Sequence, residues 1–248
     1  MDFLGKMYDL SKQRADLLDE DTTGTTMGGN PMIRPFRRVL KDMAVIAEVK
    51  YATPARGNLG IKTSPGEIAA GYAAKGAAAV SCITEPAYFA GSMEYISMIR
   101  QSCELPILMK GFIVDERQII LGRQCGADAF LLITEMLCPE ELERLYAFGR
   151  HTGMDCLVEV HSLKGLDKAL AINADCIGVN ARDLATLEVD PSRHEEIIPH
   201  IPEHVTKVAE SGITTEKRRI ELGSKGYDAA LIGTVLMTGF GEGGPLCG

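Results

Sequence analysis

From residue 45 onward, short and almost unbroken apolar runs alternate with longer segments whose apolar positions recur every three or four residues. The runs are "VIAEVK" (45–50), "AAVSCIT" (78–84), "PILMKGF" (106–112), "AFLLIT" (129–134), "CLVEVH" (156–161), "CIGVNA" (176–181), "VTKVAES" (205–211) and "AALIGT" (229–234), eight in all. Runs rich in Val, Ile and Leu between turn residues read as strands buried on both faces. The segments between them are "SPGEIAAGYAAKG", "SMEYISMIRQ", "DERQIILGRQCG", "PEELERLYAFGRHTG", "SLKGLDKALAI", "SRHEEIIPHI" and "TEKRRIELGSKG". Several open at Ser, Thr or Asp and stop at Gly, as helix ends prefer. Strands covered by helices form a parallel sheet, and eight units in about 200 residues predict a closed (β/α)8 TIM barrel over 45–248. An open doubly wound sheet is the structural alternative, but no G-x-G-x-x-G follows the first run.

Residues 1–44 precede the first strand and are mixed in pattern. "FLGKMYDLSKQRADLL" reads as a helix, "DEDTTGTTMGGNP" as a loop and "IRPFRRVLKDM" as a second helix leading into the barrel. After the eighth run only "VLMTGFGEGGPLCG" remains, too short and too rich in Gly and Pro for a full closing helix, so the last helix is expected to be shortened or missing. Its G-x-G-x-G spacing reads as a tail rather than a nucleotide loop.

Composition narrows the function. Of 248 residues, 46% are hydrophobic, enough for a large core, which excludes a mainly disordered chain. With 26 basic against 34 acidic residues, the formal charge of -8 gives no footprint for nucleic acid or an anionic membrane. Any anionic ligand must be held by a local arrangement. No run approaches membrane-spanning length, the first residues lack a signal-peptide core, and seven cysteines without C-x-x-C spacing read as packed, reduced thiols. A cytoplasmic protein is expected. The pair His200 and His204 is interrupted by proline in a surface turn, so no metal site is read.

The active site of such a barrel lies at the C-terminal ends of its strands, and that is where the polar residues collect. Run 1 ends Glu48-Val49-Lys50, run 3 at Lys110, and run 5 carries Glu159 and His161. Run 6 ends Asn180-Ala181-Arg182-Asp183 and run 7 Glu210-Ser211-Gly212. Residues two apart share a face of a strand, so Glu48 pairs with Lys50 and Glu159 with His161; an interior position would tune such groups as acids and bases. The small-residue turns after runs 7 and 8 (Ser211, Gly212, Gly233, Thr234) suit a phosphate group.

These residues fall within motifs that resemble the indole-3-glycerol phosphate synthase family. "FRRVLKDMAVIAEVKYATPARG" is similar to its I-A-E-x-K-R-x-S-P-S stretch, "ITEPAYFAGSMEYI" to T-E-x-x-Y-F-x-G-S, and "PILMKGFIVDERQI" to P-x-L-x-K-D-F. "LVEVHS", "IGVNARDLATLEVD", "VAESGI" and "LIGTVLM" follow in family order. The resemblance implies a lyase of tryptophan biosynthesis that closes an indole ring on 1-(2-carboxyphenylamino)-1-deoxyribulose 5-phosphate, with loss of carbon dioxide and water and no cofactor. It implies Lys110 as general acid, Glu159 as base and Lys50 as an aid to dehydration or phosphate binding, with Glu48, Asn180 and Glu210 orienting them. Arg182 would meet the substrate carboxylate or hydroxyls, Phe112 would line the aromatic pocket, and Ser211, Gly212, Gly233 and Thr234 would hold the phosphate. Residues 1–44 would cover the barrel mouth, and a monomer is the expected assembly.

The chain departs from the family at Gly111, which stands in place of Asp, at Tyr51, in place of a basic residue, and at Thr53 and Ala181. Loss of a carboxylate beside Lys110 is expected to leave that lysine less readily protonated. That keeps open two alternatives: a diverged phosphate-binding lyase or aldolase-like enzyme using Lys110 as a nucleophile, and a relative that binds without turnover.

Overall fold

The computed structural model describes residues 2–18, 32–184 and 186–238. Eight parallel strands close into a barrel: β1 (Ala44–Val49), β2 (Ala79–Ile83), β3 (Ile107–Lys110), β4 (Ala129–Ile133), β5 (Asp155–Val160), β6 (Cys176–Asn180), β7 (Thr206–Glu210) and β8 (Ala229–Ile232). β1 pairs with both β2 and β8, which closes the sheet and leaves no edge. All eight expected strands are present.

Alternation along each strand splits the apolar residues into two layers. Val45, Ala47 and Val49 of β1 pack outward with Val80, Cys82, Val158 and Val160 against the helices. Ile46, Leu108, Leu131, Leu157, Val208 and Leu231 fill the interior. Those interior positions are followed two residues later by Glu48, Lys110, Ile133, Glu159, Glu210 and Gly233. The inward face is therefore apolar through the barrel and turns polar at its C-terminal end.

The helices follow their expected segments: α2 (Pro65–Ala74), α4 (Glu94–Ser102), α5 (Glu116–Cys125), α6 (Pro139–His151), α7 (Leu163–Ala171), α8 (Arg193–Ile197) and α9 (Glu216–Ser224). Ser64 and Asp115 form capping boxes at the starts of α2 and α5. A one-turn α3 (Pro86–Phe89), capped by the buried Glu85, is an addition to the expected elements. So is a two-residue hairpin, Ala52–Thr53 with Gly57–Asn58. After β8 the described chain holds a five-residue helix, α10 (Thr234–Thr238); the Gly-rich tail falls outside the described residues.

Before the barrel, α1 (Phe3–Asp16) forms as read, while the loop expected next lies largely outside the described residues. The second expected helix is a correction: only a 3-10 turn, Arg37–Val39, forms. Its backbone is claimed by the barrel floor, since the N–H groups of Arg34 and Arg37 donate to the carboxylates of Asp128 (2.8 Å) and Asp155 (2.9 Å). Phe36 and Leu40 are buried with the interior layer, and left-handed backbone at Asp42 and Met43 ends the segment.

Candidate active site

One cavity of about 500 Å³ opens over the C-terminal ends of the strands. All twelve residues named above as catalytic or substrate-binding line it: Lys110, Glu159, Lys50, Glu48, Asn180, Glu210, Arg182, Phe112, Ser211, Gly212, Gly233 and Thr234. Phe3, Arg56, Glu85, Phe89 and Leu184 complete much of its wall. His200 and His204 are exposed, and among the described residues no group of three His, Cys, Asp or Glu side chains is placed to hold a metal ion.

The centre is a chain of charges. Lys110 Nζ donates to Glu159 Oε2 at 2.6 Å and to Glu210 Oε2 at 2.9 Å. Burial alone would depress the Lys110 pKa, but Glu159, Glu210 and Glu48 together carry it above the ordinary lysine range. The two carboxylates that hold the cation come from β5 and β7, not from its chain neighbour, so they act against the weakening expected at Gly111. A lysine so held is poorly suited to attack a carbonyl, which needs the neutral amine.

The carboxylates diverge. Burial would raise both; Lys110 and His161 overcome it at Glu159 and hold that group ionised, well below the usual carboxylate range. Glu210 has only Lys110 against it and is pushed up to about 8 by burial and the neighbouring Glu159. Its Oε1 is buried without a hydrogen-bond partner. Two carboxyl groups on one lysine, one pushed down and the other up, are the arrangement that separates base from acid.

A second pair stands beside the first. Lys50 Nζ donates to Glu48 Oε1 at 2.6 Å. Gly233 leaves the room: a Cβ there would lie 2.3 Å from Glu48 Oε1 and 2.7 Å from Lys50 Nζ. The adjacent turn after β7 is left-handed at Ser211 (φ 63°) and Gly212 (φ 70°), so small residues bring the main chain close to the cavity. Asn180 Oδ1 accepts from the Arg182 N–H at 2.9 Å, and the Arg182 guanidinium donates to the Leu187 carbonyl at 2.6 Å. Burial lowers the Arg182 pKa, Glu48 opposes that, and Arg56 adds to it.

Two residues outside the expected set flank this machinery. His161, 8% exposed, sits between the Glu159 carboxylate (2.9 Å) and the Arg182 carbonyl (2.8 Å). Its signal was the E-x-H spacing on one strand. Tyr51, in place of the family's basic residue, donates to the Thr63 carbonyl (2.7 Å), and its ring meets Tyr95 edge-on at 5.5 Å. It ties down both ends of the loop that follows Lys50. Thr53 lines the cavity, and Ala181 is buried beneath Gly212.

A family model described as indole-3-glycerol phosphate synthase matches residues 10–241. A relative of that name from Campylobacter jejuni is 41% identical over 94% of this chain and 92% of its own length. Another, from Chloroherpeton thalassium, is 42% identical over 84% of this chain and 82% of its own. Among solved structures, an N-acetylmannosamine-6-phosphate 2-epimerase from Clostridium perfringens shares the barrel at a TM-score of 0.64 over 84% of this chain and 93% of that one, with 14% identity, a likeness of fold alone. The polar barrel mouth, the ordered motifs and the relatives agree: the chain belongs to the indole-3-glycerol phosphate synthase family, carboxy-lyases of tryptophan biosynthesis.

Proposed function

We propose that the cavity performs the family's ring closure with Lys110 as general acid and Glu159 as base. The ring carbon bearing the carboxylate attacks the ribulose carbonyl; a carbon–carbon bond forms, and the carbonyl oxygen takes a proton from Lys110. Carbon dioxide leaves with the bond change that restores the aromatic ring. The new hydroxyl then departs as water, protonated by an acid, while a base takes a proton from the five-membered ring. The observation that carries this reading is Lys110 bridging Glu159 at 2.6 Å and Glu210 at 2.9 Å: a cation fixed between two buried carboxyl groups in the wall of the cavity.

In this reading Lys50, 2.6 Å from Glu48, assists dehydration or meets the phosphate, which rests on Ser211, Gly212, Gly233 and Thr234. Asn180, Glu48 and Glu210 orient the charged groups, and Arg182 receives the substrate carboxylate or a hydroxyl. Phe112 packs against the aminobenzoate ring, edge-on to Phe3 with centroids 6.2 Å apart. Of the segment expected to cover the mouth, α1 supplies the contacts: Phe3 lines the cavity, Ser11 donates to the Phe112 carbonyl, and Arg14 pairs with Glu85 at 3.2 Å.

The experiment is incubation of the protein with 1-(2-carboxyphenylamino)-1-deoxyribulose 5-phosphate, reading indole fluorescence. Product at catalytic amounts of protein is the expected result. No product at high protein concentration would remove the reading.

A further inference from the structure

His161 is caught between two oxygens, and their chemistry fixes its protons. Nδ1 lies 2.8 Å from the backbone carbonyl of Arg182, which can only accept, so Nδ1 carries a hydrogen. Nε2 lies 2.9 Å from Glu159 Oε1, and that short contact also needs one proton. The proton sits either on the ring, giving an imidazolium facing a carboxylate, or on Glu159, giving a neutral ring facing an acid. The other oxygen of Glu159 decides between them. Oε2 accepts from the Lys110 ammonium at 2.6 Å, an arrangement that favours the carboxylate.

We propose that His161 is a doubly protonated positioning residue, whose imidazolium aims the Glu159 carboxylate and keeps it ionised between turnovers. It falls inside the family-like stretch "LVEVHS" but does not line the cavity: it contacts Glu159 from outside the cavity wall. The groups that face it are Glu159 on its own strand, Glu135 after β4, which accepts from the His161 N–H at 3.0 Å, and the Arg182 carbonyl after β6. Lys110 acts on the far side of Glu159. Burial opposes the charged ring, yet the bond to Glu159 and the charges of Glu159 and Glu135 raise its pKa above the ordinary histidine value, in agreement with the geometry.

The inference deepens the reading of Glu159 as base, and two measurements separate them. Nitrogen-15 NMR of the histidine rings in the intact protein at pH 7 is expected to show both His161 nitrogens protonated, assigned by loss of the signals in His161→Gln. An unprotonated His161 nitrogen would overturn the proposal, whatever the activity. The second measurement is the pH profile of kcat. Gln presents a neutral amide donor at the Nε2 position, so His161→Gln keeps the hydrogen bond and loses the charge. The acid limb is then expected to move up by about one pH unit. A limb that stays in place while kcat falls equally at every pH would reduce His161 to a structural part and overturn its proposed role. If the wild type makes no indole product at all, the ring-closure reading fails, while the state of the ring is still decided by NMR.

Discussion

At the residue scale, the site depends on where side chains are missing as much as on where charges stand. Gly233 is one case: a Cβ would meet both members of the Glu48–Lys50 pair at under 3 Å. Both are side-chain ends, so the pair must shift from its place in the cavity to make room. Gly233→Ala is expected to lower kcat/KM at least about tenfold with little loss of stability, read by steady-state kinetics beside a melting curve. Gly111 is the opposite case. A Cβ there would lie 2.5 Å from the Thr84 hydroxyl, which makes only a 3.5 Å contact with the Lys110 carbonyl. That carbonyl already accepts from the Thr84 N–H at 2.9 Å, so the hydroxyl is free to rotate away. Gly111→Asp should therefore keep or raise activity and change stability by less than about 1 kcal/mol, measured by the indole assay and by denaturant unfolding. The residues around Lys110 were legible from position along the strands, because an interior strand end has one role in this fold. His161 was visible as a partner of Glu159, but its second contact, to the Arg182 carbonyl just after β6, is made across neighbouring strands and leaves no trace in local spacing.

At the element scale, the eight strands were readable because burial on both faces removes polar interruptions. The second N-terminal helix was misread because its pattern is amphipathic, while its amides are committed to Asp128 and Asp155 across the barrel floor. The hairpin after β1 was not foreseen, since two-residue strands around Pro54 and a left-handed Gly57 carry a turn signal and no strand signal. Tyr51 anchors that hairpin through Thr63 and Tyr95. α1 is tied to the mouth through the Ser11 hydroxyl, which donates to the Phe112 carbonyl and accepts from Gln118 at 3.1 Å. Ser11→Ala leaves the Gln118 amide with one partner fewer in a buried spot, for a cost of about 1 kcal/mol. If α1 covers the site, the same change raises KM more than it lowers kcat; equal effects on a variant far from the mouth would argue against the cover.

At the scale of the whole molecule, the buried charges make stability depend on pH with a known sign. Glu210 is raised from 4.5 to about 8 in the fold. Between those values the folded protein keeps a proton that the unfolded chain releases, so stability falls as pH rises through that window and levels above it. His161, also raised, adds a fall of the same sign above its ordinary value, whereas Glu159, held low, acts only at acid pH. Glu210→Gln keeps an oxygen for Lys110 and removes the titration. Its melting temperature is expected to vary less between pH 5 and 8 than that of the wild type, and an unchanged slope would show that Glu210 is ionised throughout. No helix among the described residues is long and apolar enough to cross a membrane.

The central claim is that Lys110, fixed between Glu159 and Glu210, delivers the proton that makes ring closure possible. Single-turnover conversion of the ribulose phosphate by Lys110→Met, set against wild type at pH 7 with the substrate's binding constant measured in parallel, tests it most directly. The expected result is a loss of about a hundredfold to ten-thousandfold in the rate of ring closure with binding held within a few-fold. Turnover by Lys110→Met within tenfold of wild type would contradict the account.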